Sequence, residues 1–220
     1  MKIIDLSLPL HTGTSTPPSV GRKVEVSTVR KGPPHFQASW LSIGVHTASH
    51  VDTPLHAVKD GPTVGMLPLE NWCGEAVILD FTHKGPSEAI TREDAEKFEG
   101  DIREGDIVIL RTDWTDKKWG KPEYWTDSPY LTPEAAAWLV SRKPKVLGFD
   151  FLEEYCARRG DFKPEEFAMH RVILEKGVLI AEGFTNLGKI SKKRFTLIIA
   201  PLKFIDAEGA PARLFAIQDW

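Results

Sequence analysis

Residues 46–56, His46-Thr-Ala-Ser-His50-Val-Asp52-Thr-Pro-Leu-His56, constrain this chain more than any other stretch. Three of its seven histidines fall there, with Asp52 among them. Neither regular conformation suits the segment. A helix would align only His46 with His50, and Pro54 argues against a helix running through. An extended chain would project positions 46, 50, 52 and 56 to one side. Yet six residues of strand span about 20 Å, whereas ligands of one metal ion lie roughly 2 Å from it. A chain that gathers these groups on one ion must bend between His46 and Asp52, and Thr47-Ala48-Ser49 is the small-residue stretch able to do so. Pro54, with its fixed φ and missing N–H, is expected to hold the chain extended into His56. Imidazole nitrogen with carboxylate oxygen suits zinc, manganese or iron and disfavours calcium. A solvated polar turn would explain one histidine, but explains three and an aspartate at this spacing poorly.

The rest of the composition sets the frame. With 220 residues, 41% of them hydrophobic and 27% charged, the chain can bury a sizeable core within one domain, 1–220. Glycine and proline are spread along it, so no linker marks a boundary. A formal net charge of −3 argues against nucleic acid as a partner. No stretch approaches the roughly 20 apolar residues of a membrane span. The opening MKIIDLSLPLHTG is interrupted by Asp5 and Pro9 and does not read as a signal peptide. Cys73 and Cys156 are too few for a disulfide framework and read as free thiols in a reducing compartment. Together these place the chain in the cytoplasm.

Segments 2–6, 23–29, 38–45, 76–81, 107–111, 146–150, 178–183 and 196–200 read as strands, rich in Val, Ile and Leu between Gly, Pro or charged residues. Helices are expected over 91–99, opened by a capping-box variant of Thr91 and Asp94, and over 131–142, with Thr132 as N-cap and Pro133 at the first position. A third is expected over 163–176, ending at Gly177. Many strands and few helices imply an α/β fold with mixed sheets rather than a regular doubly wound sheet.

Two downstream residues could join the cluster. His170 lies near the apolar side of the third helix, with Phe167 and Leu174. Glu182 interrupts the strand Val178-Leu-Ile-Ala181 and shares a face with Val178 and Ile180. A buried, unpaired carboxylate costs several kcal/mol, so Glu182 needs a cation or a strong donor. A core histidine and an ion-pair partner are the plainer readings of the two. Trp114, Trp119, Tyr124, Trp125 and Tyr130 fall in a stretch that reads as loop, where packing onto the domain is favoured over lining a pocket. His35 reads as a surface histidine able to reach the site from a loop. Glu153, Glu154 and Arg158-Arg159 read as a solvated face.

The cluster resembles the HxGTHxDxPxH signature of the cyclase family, which includes bacterial kynurenine formamidases (arylformamidases) and isatin hydrolases. Asp5-Leu-Ser-Leu-Pro-Leu10 is similar to the family's opening strand, Ile109-Leu-Arg-Thr-Asp-Trp114 to its "RTGW" segment and Leu147-Gly-Phe-Asp150 to its "GID" segment. Ala200-Pro-Leu-Lys203 with Gly209-Ala-Pro-Ala-Arg213 is similar to its C-terminal hairpin. The resemblance implies a swivelling β/β/α fold, commonly assembled as a homodimer or higher oligomer. It also implies that His46, His50, Asp52 and Glu182 hold one divalent metal, and Asp52, Glu182 and His170 a second. Zn2+ is the first choice and Mn2+ the alternative, with His56 as the catalytic acid/base. Two departures stand out. Ala48 and Ser49 replace the family's Gly-Thr, and alanine is strained if its position needs φ > 0. Ser15-Thr-Pro-Pro18 also lacks the tryptophan that formamidases carry before a proline, next to their aromatic substrate.

The expected activity is hydrolysis of an amide, formamide or cyclic amide by metal-activated water. His56 would move the proton, and the substrate would be small and neutral or anionic. Lactone or ester hydrolysis and non-hydrolytic cyclisation or dehydration fit the same ligands. A structural metal module fits less well, since structural zinc is usually enclosed by four ligands, often cysteines.

Overall fold

The computed structural model describes residues 1–18, 21–29, 32 and 36–218; His35 lies outside them. Its strands are β1 (Lys2–Asp5), β2 (Glu25–Val29), β3 (Ala38–Ser42), β4 (His50–Asp52), β5 (Cys73–Asp80), β6 (Ala89–Ile90), β7 (Ile107–Arg111), β8 (Tyr130–Leu131), β9 (Val146–Phe149), β10 (Leu179–Glu182), β11 (Arg194–Pro201) and β12 (Gly209–Gln218). The α-helices are α1 (Arg92–Glu96), α2 (Trp114–Lys118), α3 (Glu123–Thr126), α4 (Pro133–Ser141) and α5 (Ala168–Leu174). This is the mixed α/β architecture with few helices that the sequence pattern implies.

Eight strands form one sheet in the order β1-β12-β11-β5-β7-β9-β10-β4, and β4 pairs back onto β12, so the sheet closes on itself. The run β5-β7-β9-β10 is parallel, while β4, β11 and β12 join it antiparallel. Closure divides the side chains by the two-residue period of a strand. Ala76, Ile107, Ile109, Val146, Leu179 and Ala181 fill the interior. Val77, Leu79, Val108, Leu110, Leu147 and Ile180 face outward, under Ala95 of α1, Leu139 of α4 and Ile173 of α5. Buried on both faces, the parallel strands read as unbroken apolar runs such as Ile107-Val-Ile-Leu110 rather than as alternation. Each such side chain contributes about 1.5–3 kcal/mol when fully buried.

Local signals set the first two predicted helices. At α1, the Thr91 hydroxyl accepts from the Asp94 N–H at 3.3 Å and the Asp94 carboxylate accepts from the Thr91 N–H at 3.1 Å. At α4, Thr132 caps the Ala135 N–H at 3.2 Å with Pro133 in the first turn. Three expectations need correction. The third helix is split: a 3-10 turn over Pro164–Glu166 breaks at Phe167 (φ −79°, ψ 66°) before α5 begins. The backbone N–H groups of Met169 and His170, which a continuous helix would direct to carbonyls one turn back, go to the Glu154 carboxylate at 3.0 and 3.1 Å. Residues 114–130 are not plain loop but carry α2 and α3. Pro54 does not extend the chain: Pro54–His56 is a 3-10 turn, where proline's missing N–H is harmless.

The hairpin β2–β3 stands apart from the closed sheet as its own two-stranded sheet. Val26, Trp40 and Leu41 on it are exposed. No helix among the described residues is long and apolar enough to cross a membrane.

Candidate metal centre

Glu182 ends β10 directly opposite His50 of β4, and Asp52 pairs with Ile180 two positions along. His50, Asp52 and Glu182 therefore share the outer face of the sheet, while Val51 and Ala181 between them point into the barrel core. Helix α5 covers this face and supplies His170.

The bend required between His46 and Asp52 lies where the small residues are. Ala48 adopts a φ of 54°, in the left-handed region that costs an L-residue roughly 1–2 kcal/mol. Hydrogen bonds hold it there. The Ser49 hydroxyl donates to the Gly183 carbonyl at 2.7 Å and accepts from the Leu8 N–H at 2.8 Å. The Ser49 carbonyl accepts from the Ala212 N–H at 3.0 Å. The Ala48 carbonyl accepts from His50 Nδ1 at 2.9 Å, leaving Nε2 to face the carboxylates.

His46 Nδ1 lies 2.7 Å from Asp52 Oδ1. His50 Nε2 is 3.6 Å from the same oxygen and 3.5 Å from Glu182 Oε2. On the other side, His170 Nε2 is 3.2 Å from Glu182 Oε1 and 3.7 Å from Asp52 Oδ2. Ligand-type atoms of His46, His50 and Asp52 lie within 4.8 Å of one another, as do those of Asp52, His170 and Glu182. The two carboxylates thus stand between two groups of imidazoles. His56 folds back over them, its ring centroid 4.2 Å from that of His46 and 5.6 Å from that of His170.

The electrostatics fit a cation. Burial opposes charge on Asp52, yet it is held well below the usual carboxylate range by His46 and His50. Burial likewise disfavours charge on His46, but Asp52 and Glu208 outweigh it and raise the imidazole to about 10. His170 is raised well above its usual value because the neighbouring Asp52, Glu154 and Glu182 carboxylates outweigh burial. Protons on imidazole here neutralise carboxylates, the service a dication performs when it displaces them. Asp52 Oδ2 is buried without a hydrogen-bond partner, and a metal ion would satisfy it. The N/O donors and the orphaned oxygen fit a divalent metal.

Sequence reasoning missed three carboxylates. Glu153 and Glu154 are buried rather than solvated, and Glu208 joins the site from just before β12. Glu154 accepts from the first N–H groups of α5 and approaches His170 Nδ1 at 3.3 Å, so His170 Nε2 is directed at Glu182 and Asp52. Such outer contacts set a ligand's tautomer and orientation. Glu208 Oε1 lies 3.2 Å from His46 Nε2, and this bond holds its carboxyl down at about 2. No periodicity marks Glu208; a solvated-face assignment concealed Glu153 and Glu154. Of the Arg158-Arg159 pair, Arg159 is paired with Glu166 at 2.6 Å on the surface. Arg158 instead stacks between Tyr130 and Tyr155.

The site floors a cavity of about 520 Å³, within the range of small-molecule pockets. Its wall is apolar, from Pro17, Leu55, Leu152, Phe162 and Phe167, with Arg171 at one side. Phe162 and Phe167 stack at 5.5 Å, and Phe167 stacks on His170 at 4.1 Å. The aromatic residues of 114–130 do not line it. Trp114 and Tyr124 are buried in the outer core, and Trp119 and Trp125 both pack edge-on to Tyr124.

Residues 4–153 match the family described as "Putative cyclase". The chain belongs to the cyclase family. Among curated cyclase relatives, the kynurenine formamidase of Bacillus mycoides (strain KBAB4) is 27% identical over 96% of this chain and 94% of its own length. The isatin hydrolase of Roseibium aggregatum is 28% identical over 96% and 86%. A solved structure described as a potential metal-dependent hydrolase with cyclase activity has a TM-score of 0.78, with 26% identity over 98% of this chain and 96% of that one. An isatin hydrolase bound to the product analogue thioisatinate superposes with a TM-score of 0.83, at 24% identity over 98% and 91%. At the turn, Ala48 occupies a left-handed position that a glycine would fit without strain. Near the stretch that lacks the formamidase tryptophan, Pro17 meets the cavity.

Proposed function

We propose that this protein is a metal-dependent hydrolase that opens the C–N bond of a small, neutral or anionic amide, formamide or cyclic amide. The observation that carries this reading is the pair of imidazole–carboxylate groups sharing Asp52 at the floor of an apolar cavity. His46, His50 and Asp52 would hold one divalent cation, and Asp52, His170 and Glu182 a second, with Glu182 also within reach of the first through His50. Zinc or manganese bound there supplies Lewis-acid chemistry, lowering the pKa of water and polarising a carbonyl oxygen. His56, held over both groups by the 3-10 turn, would take a proton from water and return one to the departing nitrogen. The stacked Phe162 and Phe167 rings offer a flat apolar surface, and Arg171 a positive charge for an anionic substituent. These favour a planar aryl or cyclic amide. With no tryptophan in Ser15-Thr-Pro-Pro18, the stretch where formamidases carry one, activity on N-formylkynurenine should be weak.

The test is a screen of formamides, cyclic imides, lactams and lactones with zinc- and manganese-loaded protein. Metal-dependent ring opening of a cyclic amide supports the reading. A kcat/KM near about 10⁶ M⁻¹s⁻¹ on N-formylkynurenine makes the substrate assignment wrong, and turnover of lactones alone makes the bond wrong.

Assembly as a homodimer or higher oligomer belongs to the same proposal. An isolated two-stranded hairpin is marginal in water, and the exposed Trp40 and Leu41 of β2–β3 would gain burial against a second copy. Sedimentation of the Trp40→Ser variant should show weaker association than wild type. Two unpaired cysteines, Cys73 and Cys156, suit a reducing cytoplasmic setting.

A further inference from the structure

Glu153 is completely buried, between the buried apolar side chain of Leu152 and the backbone that carries Glu154. Neither of its carboxylate oxygens has a hydrogen-bond partner. Its Oε1 lies 3.4 Å from His170 Nε2. That nitrogen is also 3.2 Å from Glu182 Oε1 and 3.7 Å from Asp52 Oδ2. Three carboxylates therefore converge on one nitrogen, which carries at most one proton. Glu182 takes the shortest approach, and the oxygens left over are the ones found orphaned: Asp52 Oδ2 and both of Glu153. Buried native carboxylates are almost always satisfied, and a group left bare at this depth needs an explanation.

We propose that Glu153 is an additional metal ligand, which with Asp52, His170 and Glu182 makes a one-nitrogen, three-carboxylate position for a hard divalent cation such as Mn2+. The proposal rests on the metal-holding reading of the site and adds to it a residue and a preference. A dication among the three carboxylates satisfies the orphaned oxygens of Asp52 and Glu153 together. The donor sets also differ between the two positions. His46, His50 and Asp52 supply two nitrogens and one oxygen, which suits zinc. The position at His170 is dominated by hard oxygen donors, which suit Mn2+ or Mg2+.

The experiment is Mn2+ titration of chelator-stripped protein, with free Mn2+ followed by electron paramagnetic resonance and melting temperatures measured with and without metal. In wild type one binding event is expected to depend on Glu153. Glu153→Gln should weaken it by about 10²-fold or more, beyond the effect usual for an outer-shell contact, and leave any other event unchanged. The metal-free Glu153→Gln protein should melt no lower than metal-free wild type, because an amide fills the same space without a charge to bury. Its metal-induced rise in melting temperature should shrink. Glu153→Asp, which keeps the charge with a shorter reach, should fall between. Mn2+ affinities that Glu153→Gln leaves unchanged overturn the proposal and leave a proton shared with Glu182 as the residue's role. A lower metal-free melting temperature with every event weakened equally also overturns it, assigning a packing role. A wild type that binds no divalent metal refutes the underlying site reading as well, a result distinct from either.

Discussion

Replacing Gly183 by alanine would place a methyl carbon 2.3 Å from the Ala48 carbonyl oxygen, 2.6 Å from its carbonyl carbon and 2.9 Å from the Ser49 nitrogen. All three are backbone atoms, so relief requires the 46–49 turn to move. Gly183 also has a φ of +71°, which costs an alanine about 1–2 kcal/mol. Moving the turn breaks the bonds of the Ser49 hydroxyl to Gly183 and Leu8, each worth about 1 kcal/mol. The sum is about 3–4 kcal/mol, a large share of the roughly 5–15 kcal/mol that holds a domain folded. For a chain of this size it should lower Tm by about 6–16 °C. His50 hangs on the Ala48 carbonyl through Nδ1, so metal affinity should fall as well, by about 10–100-fold. Gly177 is the internal control. Its φ is +75°, but nothing lies within 4 Å of a Cβ built there. Gly177→Ala should incur only the conformational penalty, lowering Tm by about 2–8 °C, with metal affinity untouched. Thermal melts and metal titrations of both variants decide the matter. If Gly183→Ala behaves like Gly177→Ala, the close packing of β10 on the turn does not govern the site.

Three further outcomes are expected. His56→Ala should keep its metal content and lose about 10²–10⁴ of kcat, less on substrates with good leaving groups; loss of metal with activity would instead make His56 a ligand alongside His46 and Glu208. Chelation should lower Tm, since a metal at a thousandfold its Kd stabilises by about 4 kcal/mol; an unchanged melt would mean that the buried carboxylates are stable without an ion. Asp94 is held below its usual range, against burial, by Lys84 at 2.6 Å, Lys97 at 2.9 Å and the Thr91 N–H. A depressed carboxylate contributes stability above its unfolded pKa and loses it as pH falls towards the folded one. Asp94→Asn should therefore be less stable than wild type in urea at pH 7, with the gap closing below pH of about 4; a gap independent of pH would refute the ion-pair origin.

The sequence alone determined the parts of this protein whose causes are local. The capping residues Thr91 and Thr132 start α1 and α4, and the doubly buried strands show as apolar runs because a parallel strand covered on both faces tolerates nothing else. The need to bend at Thr47-Ala48-Ser49 follows from strand rise against the size of a coordination sphere, and Ala48 takes the left-handed conformation there. His170 and Glu182 were legible for a different reason. Alone each has an ordinary explanation, and only the resemblance to the cyclases singled them out.

Tertiary structure decided what depends on distant segments meeting. Whether Glu153 and Glu154 face water or His170 is not written in their spacing; it follows from α5 docking beside residues 150–155, where Glu154 replaces the carbonyls a longer helix would have offered. That same substitution splits the helix expected over 163–176. Glu208 reaches His46 because β4 closes the sheet onto β12, a contact across 162 residues of chain. Pro54, read as an extender, begins a 3-10 turn instead. Proline's φ suits both conformations, and the bonds of Thr53 to Glu208 fix where that turn begins. A carboxylate's environment is a property of the surfaces packed around it, and those surfaces come from segments far apart in the chain.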